Sequence, residues 1–203
     1  FIPSPSYKSE ALMRWETVRD EMIHENPWFL AVDFDNDRLA PLLNYLVATD
    51  LPTQWFRARI RTGDVNYPIA EMGALPKRLA SHGRANPAGI PYRSLGSSPT
   101  TAAAEVRPHT GENACVANFE IPRICVVDLR APRKSISPFI VQDPDTIGQL
   151  RADLPLLDRL GEELTRPVLP SRSAIDYIPS QYLCEFIRKR KFDGVVYRSS
   201  VSD

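Results

Sequence analysis

Glu105 is the residue whose context is most typical of a reactive side chain, because it ends a run of small residues. The preceding Ser98-Pro99 pair is typical of a helix start, so Thr100–Val106 is predicted to be a short helix. A carboxylate near the C-terminal end opposes the helix dipole, and such a local conflict is typical of functional positions. Glu105 could then face a positive charge that develops during a reaction. A solvated side chain, or one paired with Arg107 or Arg84, is the alternative.

Arg57 is the second candidate, because it lies in the alternating, aromatic-rich stretch Gln54–Ile60, which predicts a β-strand. On a strand it would share a face with Trp55 and Arg59. A guanidinium group among aromatic rings is either stacked and paired within the protein or positioned for an anion. Two parallel charge-assisted bonds suit a phosphate group, and Arg59 competes with Arg57 for that role.

A stretch of small residues, Gly83–Gly89, contains one fixed cation, Arg84. Glycine lets a backbone approach a ligand closely and proline stiffens a loop, so a ligand-binding loop is one interpretation. A surface turn with Arg84 in a salt bridge is the other. The spacing fits neither the Walker A loop nor the GxGxxG fingerprint. ATP hydrolysis and Rossmann-type binding are therefore disfavoured.

Ser199 and Ser200 follow the apolar stretch Gly194–Tyr197, which predicts a buried strand. Hydroxyl groups at a strand end can donate to an amide or a carboxylate of a ligand. No GxSxG sequence is present, so a serine nucleophile for acyl transfer has little support. Two ordinary loop serines are the alternative.

Short strands and helices must position these candidates. Helical spacing predicts two N-terminal helices, from Glu10 to Asn26 and over Asp37–Asp50. We divide the chain into this N-terminal helical segment, residues 1–50, and a catalytic domain, residues 51–203, whose abrupt end suggests a truncated C-terminus. Residues 61–98 are predicted to form a long functional loop. The expected fold class is α+β, a small mixed sheet with flanking helices and an N-terminal helical cap. The other predicted strands are Ala114–Glu120 and Ile124–Leu129, and the other predicted helices are 145–165, as one or two helices, and Tyr182–Lys189.

The composition argues against several classes of function. Of the 203 residues, 25 are basic and 25 acidic, so neither nucleic-acid nor membrane-surface binding is indicated. No apolar run reaches the roughly 20 residues needed to span a bilayer. The three histidines are scattered and none has a nearby cysteine or carboxylate at ligand spacing, which predicts no metal site. No CxxC pair occurs, and Cys115 and Cys125 are predicted to be buried free thiols of a cytoplasmic protein.

Several stretches taken together resemble the RES domain, a family of bacterial toxins named for an Arg, a Glu and a Ser. The resemblance covers roughly residues 50–203. It implies a fold similar to ADP-ribosyltransferases and an enzyme that breaks the bond between nicotinamide and ribose in NAD. The stretches are Trp55–Arg59, Gly83–Ile90, Thr101–Pro108 and Phe192–Ser200, together with Val126–Leu129 and Tyr177–Ile187, which are similar to the family's Asp-Leu strand and Tyr-x-Pro-Thr-Gln segment.

The resemblance also implies roles for individual residues, with Arg84 as a second family arginine. Family members often carry an aromatic residue where this chain has Ser94, and Tyr92, two positions earlier, could stack on the nicotinamide instead. NAD is then the substrate, and neither a cofactor nor a metal is implied. The predicted site comprises catalytic Arg57, Glu105 and Ser199 and binding residues Arg59, Arg84, Tyr92, Ser94 and Ser200.

The function that these observations favour is an NAD-degrading toxin acting by hydrolysis or by phosphorolysis. A protein ADP-ribosyltransferase is the alternative with the same bond cleavage. A helical ribonuclease built on the Arg19-x4-His24 pattern and a non-catalytic NAD sensor are further alternatives. Because the family is commonly paired with an antitoxin, we expect a proteinaceous antitoxin or immunity partner. The oligomeric state is open, with a homodimer as one arrangement, and no membrane or direct nucleic-acid partner is expected.

Overall fold

Segments distant in sequence assemble into two units. The computed structural model describes residues 5–7, 10–48, 50–136 and 143–201. The first unit combines residues 1–48 with 125–198, and the second combines residues 49–124 with 199–203. The division at residue 50 into a helical segment and a catalytic domain stays a prediction. No helix in the described ranges is both long enough and apolar enough to cross a membrane.

The N-terminal helices of the first unit are shorter than the sequence predicts. The first is interrupted at Arg14, which leaves α1 (Glu10–Met13) and α2 (Trp15–His24). The second, α3 (Asn36–Asn44), begins after Asp35, whose carboxylate accepts a 2.9 Å hydrogen bond from the backbone N–H of Arg38. The expectation that this helix runs to Asp50 was wrong. The chain leaves the helix after Asn44 because the next residues pair with a distant strand.

That pairing builds a three-stranded sheet in the order β1-β4-β5, with β1 at Val47–Ala48, β4 at Val126–Asp128 and β5 at Gly194–Val196. β1 runs antiparallel to β4 and β5 runs parallel to it. Val126 and Val127 are buried, as expected for the central strand of a sheet covered on both faces. The predicted strands in these regions are confirmed with tighter limits, but β5 is half-buried and not buried as the sequence predicts.

Helices complete the first unit. Residues 145–165 belong to one helix, α6 (Pro144–Thr165), which begins at Asp143, whose side chain accepts a 2.8 Å hydrogen bond from the N–H of Thr146. α5 (Pro132–Ser135) and α7 (Ser173–Asp176) are single turns, and α8 (Ile178–Lys189) extends the predicted helix by four residues at its start. The largest side chains of the core are Trp15, Met22, Leu39, Leu43, Leu46, Leu157, Leu160, Leu164, Leu183 and Ile187.

The second unit is a two-stranded antiparallel ribbon with one helix and a long loop. The strands are β2 (Gln54–Ile60) and β3 (Ala114–Glu120), with the limits that the sequence predicts. The helix is α4 (Pro99–Glu105). Between β2 and α4 the chain forms only short 3-10 turns, at Ile69–Met72 and Lys77–Leu79. The α+β class, with small sheets and flanking helices, is confirmed.

The cysteine prediction is corrected by the structure. Cys125 is exposed and Cys115 is half-buried, whereas Cys184 on α8 is fully buried. Cys125 precedes β4 and therefore lies outside the buried strand that follows it. An apolar run in sequence predicts a buried segment but does not fix which of its end residues are covered.

Candidate functional site

All eight residues predicted for the site lie in the second unit. Its helix α4 carries Glu105 as its last residue. The predicted helix start is confirmed, because Ser98 Oγ accepts a 3.0 Å hydrogen bond from the N–H of Thr101 and Pro99 occupies the first helical position. The side chain of Glu105 is exposed.

Gly96 fixes α4 against β2. Its backbone exchanges hydrogen bonds of 2.9 Å and 2.7 Å with Phe56, which joins it to the strand. A Cβ atom at position 96 would lie 2.6 Å from the backbone nitrogen of Ala102, so only glycine permits this approach. Ala58 and Ala102 are buried between the two elements. The small residues of the Ala-rich helix thus serve packing, and they place Glu105 at a defined point beside the ribbon.

Glu105 is held by Ser199. The Ser199 hydroxyl donates a 2.7 Å hydrogen bond to Glu105 Oε1, across 94 positions of sequence. Ser199 Oγ also accepts a 3.2 Å bond from the N–H of Val201, which turns the chain after the serine. Ser200, the alternative serine, makes no hydrogen bond to Glu105 in the described segments. The structure therefore brings together two of the three residues after which the resemblance is named.

Arg57 lies on one face of the β2–β3 ribbon. Its partner across the ribbon is Ala117, while Trp55 pairs with Phe119 and Arg59 with Cys115. Directly opposed residues of an antiparallel pair share a face, so this face carries two arginines and two large aromatic rings. The predicted side-by-side arrangement of Arg57 with Trp55 and Arg59 follows from the observed strand.

The two arginines of this face differ in their partners. Arg59 donates a 2.5 Å hydrogen bond from Nη1 to the carbonyl oxygen of Glu71, and its guanidinium carbon lies 4.5 Å from the ring centre of Tyr67. Arg59 therefore fastens the long loop to the ribbon. Arg57 is half-buried and donates no hydrogen bond to any residue the structure describes, and its Nη1 is buried without an acceptor. Burial, and then the charges of Arg59 and Arg93, lower the pKa of Arg57.

The glycine-rich loop is organised by Asn86. Its side-chain nitrogen donates to the carbonyl oxygens of Ser81 (2.9 Å), Ile90 (3.1 Å) and Pro87 (3.2 Å). The N–H of Gly89, whose φ of 82° is in the left-handed region, donates a 2.8 Å bond to Ala80. The loop is therefore shaped by its own contacts before any ligand arrives. The predicted binding residues here are placed differently, with Arg84 and Tyr92 half-buried and Ser94 exposed.

Glu105 forms no ion pair with the arginines of the ribbon among the described residues. In the described ranges, no ion pair connects Glu105 with Arg57, Arg59 or Arg107. Among the described contacts, the hydrogen-bond partner of the Glu105 carboxylate is Ser199. The roles predicted for the individual site residues stay predictions.

Sequence reasoning missed three residues of this unit: Gly96, Asn86 and Arg93. The Arg93 guanidinium lies 5.2 Å from the ring centre of Phe119, on the face that holds Arg57. Alternation in β3 could have placed Phe119 on that face, but nothing local in the sequence brings Arg93 to it. Among the described residues, no group of three His, Cys, Asp or Glu side chains could hold a metal ion.

Comparison with known proteins identifies the family to which this chain belongs. The RES domain family model matches residues 54–203, which cover α4, both strands of the ribbon and Ser199. The chain therefore belongs to the RES domain family, as the sequence resemblance indicates. The family is associated with enzymes that act on NAD and with toxin–antitoxin pairs. No curated protein and no solved structure matches the chain.

Proposed function

We propose that this protein cleaves the bond between nicotinamide and ribose in NAD and passes the ADP-ribose group to water or to inorganic phosphate. The observation that supports it best is the hydrogen bond between Ser199 and Glu105 in a chain of this family. A carboxylate at the end of a helix and a hydroxyl 94 residues away meet where neither is needed for the core. We therefore assign a chemical role to this pair.

The reaction needs little from the protein besides a well-placed negative charge. The nicotinamide of NAD is bound to ribose as a pyridinium, so it leaves as a neutral ring and no proton has to be supplied. Positive charge develops on the ribose as the bond breaks, as in glycoside cleavage. A carboxylate held next to that ring stabilises the transition state more than the ground state. Glu105 is the group to which we assign this role.

Ser199 keeps the carboxylate in position. Because the hydroxyl donates to Oε1, the second carboxylate oxygen stays available to face the ribose. A charge that is oriented in advance costs no reorganisation during the reaction. We assign Arg57 and Arg84 to binding of the pyrophosphate, and Arg59 to ordering of the loop. Because Ser94 has no aromatic ring, we assign Tyr92 to stacking on the nicotinamide.

The ribonuclease alternative has less support. Arg19 Nε lies 3.2 Å and 3.4 Å from the carboxylate oxygens of buried Glu163, and the Arg19 side chain is only 14% exposed. A group that must contact RNA would have to give up this buried pair, which costs several kcal/mol. Protein ADP-ribosylation uses the same bond cleavage as the proposed reaction and is separated from it by experiment. A proteinaceous antitoxin is the partner that membership of the family supports.

The test is to incubate the full chain with NAD and to quantify nicotinamide and the ADP-ribose product. Glu105→Gln keeps the shape of the side chain and removes its charge, so we expect it to lower nicotinamide release about 100- to 1000-fold. Glu120→Gln removes an exposed carboxylate from the end of β3 and is the matched control. Adding phosphate separates phosphorolysis from hydrolysis, and labelled NAD with cell lysate detects transfer to protein. Wild-type protein that releases no nicotinamide would overturn the proposal.

A further inference from the structure

Three guanidinium groups lie on one face of the β2–β3 ribbon, and among the described residues only that of Arg59 donates a hydrogen bond to the protein. Arg59 is bonded to the carbonyl oxygen of Glu71. The guanidinium groups of Arg57 and Arg93 make no hydrogen bond and no ion pair with any residue that the structure describes, and Arg93 contacts the ring of Phe119. Arg93 is exposed, but Arg57 is half-buried without a counter-charge, which is unusual because charged groups are normally paired when water is removed from them.

The contact with Phe119 pre-orients Arg93. A guanidinium group stacked over a ring directs its N–H groups outward in the plane of the fork. Phe119 is itself fixed, because β3 pairs with β2 along its whole length and Trp55 lies directly opposite. Arg93 therefore presents its donors from a defined position, although its side chain is exposed.

The two strands contribute no acidic side chain to this face. The residues that share it on β2 and β3 are Trp55, Ala117, Cys115 and Phe119. The neighbouring charges of Arg59 and Arg93, together with burial, make the charged form of Arg57 less favourable. An anion bound by Arg57 and Arg93 would offset this repulsion between like charges.

We propose that Arg57 and Arg93 form a two-guanidinium clamp for the diphosphate group of the substrate. Each guanidinium fork makes two parallel bonds to one phosphoryl group, so two forks side by side match two linked phosphoryl groups. The clamp rests on the proposed function and deepens it. Arg93, which shares the face of Arg57 on the ribbon, thus takes the place at the pyrophosphate that the family resemblance suggests for Arg84.

ADP is the probe, because it carries the diphosphate but not the bond that the enzyme would break. Binding of ADP, AMP and adenosine to the full chain is measured by calorimetry for the wild type, Arg93→Gln and Arg93→Lys. We expect Arg93→Gln to weaken ADP binding about 10- to 100-fold, because a charge-assisted bond is lost. Arg93→Lys should retain only part of the wild-type affinity for ADP, since an ammonium group lacks the forked geometry of guanidinium. Adenosine affinity should not change.

Arg123→Gln is the matched control, because it removes one exposed arginine of the same unit and should leave ADP affinity unchanged. Equal ADP affinity of Arg93→Gln and the wild type would overturn the clamp, and so would an equal loss for ADP and adenosine, or a wild-type chain that binds no ADP. The clamp and the proposed function can fail independently. If ADP binding depends on Arg93 but the protein does not cleave NAD, the clamp is supported and the proposed reaction is wrong. If Arg93→Gln cleaves NAD with an unchanged KM, the reaction is supported and the clamp is wrong.

Discussion

Ser199 donates a 2.7 Å hydrogen bond to Glu105 although 94 positions separate the two residues. The helix that carries Glu105 is set by its own cap and by Gly96. Ser199 arrives from the far end of the chain, after β5 has ended at Val196. The carboxylate thus has one support from its own helix and one from the C-terminal segment. Loss of either support should weaken the proposed chemistry by a different amount.

The two residues should behave as one unit in a double-mutant cycle. We expect Glu105→Gln to lower kcat for NAD cleavage about 100- to 1000-fold, because a preorganised charge is lost. Ser199→Ala should lower it about 10-fold, since only the orientation of the carboxylate suffers. The double variant should be no slower than Glu105→Gln alone. Steady-state nicotinamide release measures all three.

Ser97→Ala serves as the control for that cycle, because Ser97 is an exposed serine of the same unit outside the predicted site. Strictly multiplicative losses in the double variant would show that the hydroxyl and the carboxylate act independently. That result would contradict the positioning role of Ser199.

Gly96→Ala should destabilise the second unit and impair the site at the same time. The added Cβ would meet the backbone nitrogen of Ala102 at 2.6 Å, and a backbone atom cannot move aside without shifting α4. Overpacking of this kind costs about 1–3 kcal/mol, which corresponds to a fall in Tm of about 2–4 °C per kcal/mol in a chain of this size. Calorimetry measures the change, and kcat should fall because Glu105 moves with its helix.

The control is Gly63→Ala, since a Cβ at position 63 has no atom within 4 Å and its φ is not in the left-handed region. We expect its Tm to match that of the wild type. A Gly96→Ala variant as stable and as active as Gly63→Ala would show that α4 is not held by this close approach.

Sequence reasoning predicted those parts of the structure that depend on neighbouring residues. The strands β2 and β3 and the start of α4 at Ser98 follow from alternation and from a cap, both of which involve neighbouring residues. The early end of α3 depends on the pairing of Val47 with Val127, 80 positions further on (127 minus 47). The contact between Arg93 and Phe119 likewise depends on tertiary packing. The family resemblance assigned roles to Glu105 and Ser199, but it did not predict the hydrogen bond between them.

Arg57→Met should raise stability while it removes activity. The half-buried guanidinium has a buried N–H without an acceptor and like charges beside it, which is unfavourable in the folded state. We expect a gain of at most about 1 kcal/mol in the free energy of unfolding, because half of the side chain keeps its solvent. Urea unfolding without ligand measures it, and NAD cleavage should be lost in the same variant.

Arg59→Met is the comparison for that variant. Arg59 lies on the same strand, but its Nη1 donates a 2.5 Å hydrogen bond to the carbonyl oxygen of Glu71, and its guanidinium carbon lies 4.5 Å from the ring centre of Tyr67. Its replacement should therefore lower stability. A clear loss of stability in Arg57→Met would mean that the guanidinium is satisfied in the folded protein, and the anion-binding role would lose its main physical reason.

The three cysteines should differ in their rates of alkylation by iodoacetamide. Complete burial raises the pKa of Cys184 to about 12, and the neighbouring charge of Glu185 adds to the effect. Because the folded pKa is raised, Cys184 stays a neutral thiol at pH 8 and up to nearly pH 12, and the thiolate that reacts with iodoacetamide is absent. Cys125 is exposed and should be alkylated first, followed by half-buried Cys115, whose thiol donates to Asn66 Oδ1 at 3.3 Å. Mass spectrometry of the native protein at pH 8 gives the order, and the same experiment in denaturant should label all three. Stoichiometric labelling of Cys184 before unfolding would show that α8 opens readily, contrary to its place in the core of the first unit.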